Sequence, residues 1–134
     1  MDSYKIADII EEKHPEPSIH LNNPVQLRFR KILVDFMGQF TPIYVPGVAQ
    51  RLLGNESLDY FHTTRQEDAG MPLDGYGKQY GPGAFERAEP FAREMTALLN
   101  ETSGPYFLGV SVSYTDFIWA AILLFWKTLG EDTF

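Results

Sequence analysis

The chain has 134 residues, 44% of them hydrophobic and 22% charged, with a formal charge of −7 and no cysteine. That length and composition suit one globular domain with a real core. The acidic balance argues against nucleic acid and against anionic membrane surfaces, and the missing cysteines exclude a thiolate nucleophile, a zinc–thiolate site and an internal disulfide.

The first residues, MDSYKIADIIEEKHP, place acids where a signal peptide needs a basic and then an apolar run. Ile6, Ile9, Ile10 and Lys13 fall at helical spacing, which predicts a helix over 3–13 ended by Pro15. HPEPSIHLNNP then reads as an extended connector. Asn23-Pro24 is a cap followed by a first-turn proline. The helix it opens carries Val25, Phe29, Ile32, Leu33, Phe36, Met37 and Phe40 on one face and is expected to stop near Thr41, before Pro42 and Pro46. A short helix over 48–53, a polar one over 57–67, a glycine-rich loop over 70–83 and a helix over 84–100 follow. The last helix, Tyr114 to about Leu129, is apolar nearly all round, a pattern normally buried on every side. Its longest apolar run, Phe117 to Trp126, is shorter than the roughly 20 residues a membrane span needs. No alternating run argues for a sheet, so the expected class is all-α.

The histidines lack metal-ligand spacing, and Gly75-Tyr76-Gly77-Lys78 lacks the spacing of a phosphate loop. No metal is expected. Paired acids such as Glu11-Glu12 read as solvated faces. The sharpest motif is Val112-Ser113-Tyr114-Thr115-Asp116-Phe117. Ser113 can cap the last helix while the Asp116 carboxylate reaches back to the Ser113 N–H, with Val112 and Phe117 as a hydrophobic staple. Alone, it is a helix start.

Its setting says more. GPYFLGVSVSYTDFIWAAILLFW, from Gly104 to Trp126, resembles the stretch of glutathione transferases where a Phe-Leu-Gly turn leads into the capped central helix of the all-helical C-terminal domain. Asp2-Ser3-x-x-Ile6-Ala7, running on to Glu11 and His14-Pro15, is similar to the last helix of that family's thioredoxin-like domain. Tyr60 to Asp74, YFHTTRQEDAGMPLD, is similar to the fungal etherase-like branch. The resemblance implies residual thioredoxin-like helix at 1–15, linker at 16–24 and helical domain at 25–134. It implies a cytoplasmic protein, outside the membrane, that conjugates or cleaves small hydrophobic electrophiles with glutathione as co-substrate, a detoxification chemistry, and that can form a homodimer.

By position, Ser3 would donate to the glutamyl carboxylate of glutathione and Asp2 would pair with its amino group. Both residues also serve simply as helix caps, the weightier reading for this chain. Phe36, Phe40 and Tyr44 would line the hydrophobic-substrate cleft, although an aromatic stripe at helical spacing is more often core. Ser113 and Asp116 would form the structural capping box. The strand-rich region that carries the family's catalytic Ser, Tyr or Cys has no counterpart here, so no catalytic residue is expected and the truncated chain should have little or no transferase activity. A non-catalytic helical binding or dimerisation module and a truncated gene product remain as alternatives.

Overall fold

The computed structural model describes residues 3–130. Among them are six helices and no strand: α1 (Ser3–Lys13), α2 (Pro24–Arg51), α3 (Asn55–Ala69), α4 (Leu73–Tyr80), α5 (Ala84–Leu99) and α6 (Tyr114–Leu129).

α2 is the spine. The Asn23 side chain accepts from the Val25 N–H at 2.9 Å and Pro24 opens the first turn, so the start is capped as its sequence requires. The helix does not stop at Thr41. It runs through Pro42 and Pro46 for 28 residues, and the short separate helix expected over 48–53 is its last turns. An interior proline removes one N–H and crowds the carbonyl four residues back. Here both prolines are buried on one face, and α4 packs onto them. Gly77 of α4 approaches so closely that a Cβ there would stand 3.1 Å from the Pro42 carbonyl oxygen. Tertiary packing outweighs the local helix-breaking tendency. By length and composition α2 could cross a membrane, yet here it is the core helix, with Phe29 and Phe40 buried.

α2, α5 and α6 enclose the core. One cluster joins Phe29, Met95, Leu98 and Phe107, flanked by Ile32, Leu33 and Trp119. The other joins Phe40, Ala84 and Ala88, flanked by Phe36, Tyr44 and Trp126. Edge-to-face rings tie the first cluster internally, Phe29 meeting Phe107 at 5.2 Å, and join it to the second, Phe36 meeting Trp119 at 6.0 Å. Polar ties hold the ends. The Arg51 guanidinium donates to the Leu129 carbonyl at 2.7 Å, and Arg28 forms a two-pronged pair with Glu101.

The segment expected to be a loop over 70–83 contains α4. Gly70, at φ +69°, ends α3, and Leu73, 2% exposed, anchors the next helix against α2. Two glycines in eight residues conceal this helix from propensity, because its stability comes from burial rather than from its own backbone preference.

The turn from α5 into α6 is built by Tyr106 and Gly109, which exchange backbone hydrogen bonds of 3.1 and 2.9 Å. Gly104, at φ +143°, lies directly against the Gly109 carbonyl, where a Cβ would collide. The capping box follows. The Asp116 carboxylate accepts from the Ser113 N–H at 2.8 Å, the Ser113 hydroxyl at 2.7 Å and the Phe107 N–H at 3.0 Å. One carboxylate therefore holds both the helix start and the preceding turn.

The expectation that α6 is buried on all sides is overturned. Only Thr115 and Leu129 are buried, while Phe117, Leu123 and Leu124 are 52%, 52% and 63% exposed. Among the described helices, those that cover α6 cover one side of it, so its all-round apolar sequence exceeds the partners it meets.

α1 is fixed by its ends. Tyr4 stands edge-to-face against Tyr114 at 5.8 Å, with the Arg30 guanidinium 3.7 Å over its ring. Glu11 accepts from the Ser18 hydroxyl and the Ile19 N–H, and the Ile19 carbonyl accepts from the Tyr114 N–H at 2.8 Å. Those bonds to Ser18 and Ile19 hold the Glu11 carboxyl below its ordinary range, the Ser18 hydroxyl contributing most.

Candidate functional site

A pocket of about 440 Å³ opens between the C-terminal half of α2, the later turns of α3, the start of α4 and the end of α6. Its volume lies toward the lower end of small-molecule sites, which run from about 300 to 1,000 Å³. Val45 and Leu73, both buried, form an apolar floor, and each contributing helix adds an aromatic wall: Tyr44 from α2, Phe61 from α3, Tyr76 from α4 and Phe125 from α6.

The walls are held differently. Tyr44 is clamped edge-to-face by Phe125 at 6.0 Å and Trp126 at 5.9 Å, so its ring plane is set by the core. Tyr76 packs on Tyr80 at 5.4 Å within α4. Phe61 lies 5.6 Å beneath the Arg65 guanidinium. Arg65 in turn pairs with Asp68 at 2.7 Å, so the two charges that line the pocket neutralise one another. Neither the Tyr44 nor the Tyr76 hydroxyl bonds to another described residue. The pocket thus offers apolar volume, aromatic faces and two hydroxyls, with no net charge.

Of the three aromatic residues expected to grip a hydrophobic substrate, only Tyr44 lines this pocket. Phe40 is buried in the second core cluster, and Phe36 is half-buried against Phe40 and Trp119. Phe61, Arg65 and Tyr76 were not singled out by sequence. A signal existed for the first two: Phe61, Arg65 and Asp68 stand at i, i+4 and i+7, one helix face, within the Tyr60 to Asp74 segment quoted above. Tyr76 was hidden by the reading of 70–83 as loop.

Ser3 is exposed at the start of α1 and borders a separate, shallow groove of about 260 Å³ lined by Ile6, Ile10, Ile19 and Tyr114. Its hydroxyl makes no hydrogen bond among the described residues, and Asp2 lies outside them. The two sites are well apart. From Tyr114, beside Ser3, to Phe125 is eleven residues of α6, about 16 Å at 1.5 Å per residue. From Arg30, against Tyr4, to Tyr44 is fourteen residues of α2, about 21 Å. An extended tripeptide spans only about 10 Å. Among the described residues no group of His, Asp or Glu is arranged to hold a metal ion.

No curated protein and no solved structure matches the chain. Residues 25–133, however, match the family model of the glutathione S-transferase C-terminal domain, which covers every helix from α2 to α6. With an all-helical fold, a capped helix entered through a Phe-Leu-Gly turn and this sequence match, the chain belongs to the glutathione S-transferase C-terminal domain family.

Proposed function

We propose that this chain is a glutathione-transferase-like protein whose helical domain binds a small hydrophobic molecule in the pocket between α2, α3, α4 and α6. The observation that carries the reading is the aromatic-walled, uncharged pocket in a domain of this family. On this reading α1 is the last helix of a thioredoxin-like unit. The glutamyl end of glutathione would lie at its N-terminus, where the Ser3 hydroxyl and the helix dipole favour a carboxylate; Asp2 would take the amino group. The family chemistry joins the glutathione sulfur to an electrophilic carbon and expels a leaving group. This chain's own part is to hold the carbon skeleton away from water. A glutathione anchored at Ser3 does not span the 16–21 Å to the pocket, in keeping with little or no turnover by this chain alone.

Calorimetry with glutathione on the folded chain tests the glutathione half. Micromolar to millimolar binding, abolished by Ser3→Ala, supports it; a helical chain that takes up no glutathione sinks it.

A second reading, a non-catalytic assembly or dimerisation module, draws on the outward face of α6, where Phe117, Leu123 and Leu124 are each more than half exposed. Sedimentation across a wide concentration range separates it from the first. A monomer at the highest concentration argues against self-assembly through that face.

A further inference from the structure

We infer that a channel between α2 and α4 binds a free α-amino acid with a large apolar side chain, its carboxylate held by Arg51 and Lys78 and its ammonium by Asp74. This goes beyond the reading above, because the channel and the aromatic pocket have only Leu73 in common.

The channel measures about 400 Å³, within the range of small-molecule sites. Its floor is made of the residues that break or weaken helices. Pro42 and Pro46 present rings, and Gly77 presents backbone alone. A Cβ at Gly77 would stand 3.1 Å from the Pro42 carbonyl oxygen and 3.5 Å from the Pro46 ring, so a larger residue there would lift α4 away from α2. Proline rings have no rotamer freedom to lose when a ligand covers them. The rim is charged and unsatisfied. Asp74 and Lys78 stand at i, i+4 on α4, the spacing at which an acid and a base pair on a helix. They do not pair: neither forms an ion pair or a side-chain hydrogen bond among the described residues, and both line the channel. Arg51, on α2, gives one terminal nitrogen to the Leu129 carbonyl at 2.7 Å and keeps its other N–H groups free among the described residues.

Two cations and one carboxylate on a single channel match a head group that carries a carboxylate and an ammonium on one carbon. The guanidinium takes a carboxylate as a planar fork and the Lys78 ammonium takes it as a point charge. A simple carboxylate meets Asp74 as a like charge, and a simple amine meets Arg51 and Lys78 in the same way. Only a zwitterion gives all three groups an opposite partner. Its side chain then lies over the Pro42 and Pro46 rings, where apolar area leaves water. Asp74 and Lys78 are exposed, so each contact is screened and the affinity expected is about 0.1–1 mM, weakened further by salt.

The test is an NMR titration of the 134-residue chain with phenylalanine, N-acetylphenylalanine, phenylalaninamide and free glycine. Phenylalanine should bind about threefold more tightly than either blocked form, and should move the amides of Gly47, Gly77 and Lys78. Free glycine, which keeps the head group and lacks the side chain, should bind about fivefold more weakly. Asp74→Asn should erase the advantage over the N-acetyl form, and Lys78→Gln should reduce the advantage over the amide. Both side chains are exposed and bond to no other described residue, so these variants keep the fold, which circular dichroism checks. Equal affinity for phenylalanine and its two blocked forms, or binding untouched by both variants, overturns the head-group assignment. Glycine binding as tightly as phenylalanine overturns the side-chain assignment. Shifts confined to the aromatic pocket overturn the location, and a folded chain with no shifts at about 10 mM phenylalanine overturns the site. Failure to bind glutathione at Ser3 while phenylalanine still binds sinks only the glutathione reading and leaves this one standing.

Discussion

The three long helices α2, α5 and α6 and the two outer helices α3 and α4 are built by different means. Within the first group, Phe29, Met95 and Leu98, joined by Phe107 from the turn between α5 and α6, are each at most 2% exposed and interlock directly. α3 buries no residue at all, and α4 buries only Leu73. The pocket lies on the seam between the two groups, with Tyr44 and Phe125 contributed by the packed half and Phe61 and Tyr76 by the looser one. The comparison teaches that the core and two of the four pocket walls draw on different residues. Two of the four aromatic walls are fixed by the core, and the other two stand on helices that bury little.

That division can be broken in four ways, beginning where the effect is greatest. Phe29→Ala removes a ring that is fully buried and in contact with Phe107 and Trp119, and should cost about 3–5 kcal/mol in a denaturant titration. A loss under about 1 kcal/mol would mean that this cluster is not the core. Next, Asp116→Ala leaves the N–H groups of Ser113 and Phe107 without their acceptor at once, and should cost about 1–3 kcal/mol. Asp116→Asn, which keeps an acceptor oxygen, should recover part of that.

A pH titration gives a smaller effect. Glu11 is held below its ordinary carboxyl value by the Ser18 hydroxyl and the Ile19 N–H. A depressed carboxyl stabilises the fold above its unfolded pKa, and that contribution is lost as pH falls through the lower, folded value. Amide exchange over residues 11–19 should therefore speed up as pH drops below about 4.5, after correction for the intrinsic rate, while the core helices change little. Glu11→Gln should remove the pH dependence; if it does not, the linker is held by something else. Smallest of all, Phe61→Leu should leave unfolding stability within about 0.5 kcal/mol while still weakening ligand. A large loss of stability would erase the contrast between the two groups.

Much of the frame is legible in the chain itself. α1, the start of α2, α5 and α6 follow from apolar spacing and caps: Asn23 with Pro24, and Ser113 with Asp116. The resemblance carried by Gly104 to Trp126 led to the family that the match over 25–133 establishes. The misreadings share one cause. Pro42 and Pro46 break helices locally and Gly77 weakens them, yet all three sit where α2 and α4 press together. Each penalty is offset only by the partner helix, which no window of sequence contains. For the same reason Phe36, Phe40 and Tyr44, one stripe by spacing, divide into two packed rings and one pocket wall.

What the sequence determined by itself is whatever depends on near neighbours: helix starts, the capping box, the turn around Gly104 and Gly109, and the acidic surface. What only the tertiary structure decided is which of several chemically similar aromatics meet. Phe61, Tyr76 and Phe125 come together because three helices separated in sequence converge on α2, and a residue's exposure is set by what packs over it rather than by its own hydrophobicity. The same reason leaves the outer face of α6 open, although it carries Phe117, Leu123 and Leu124.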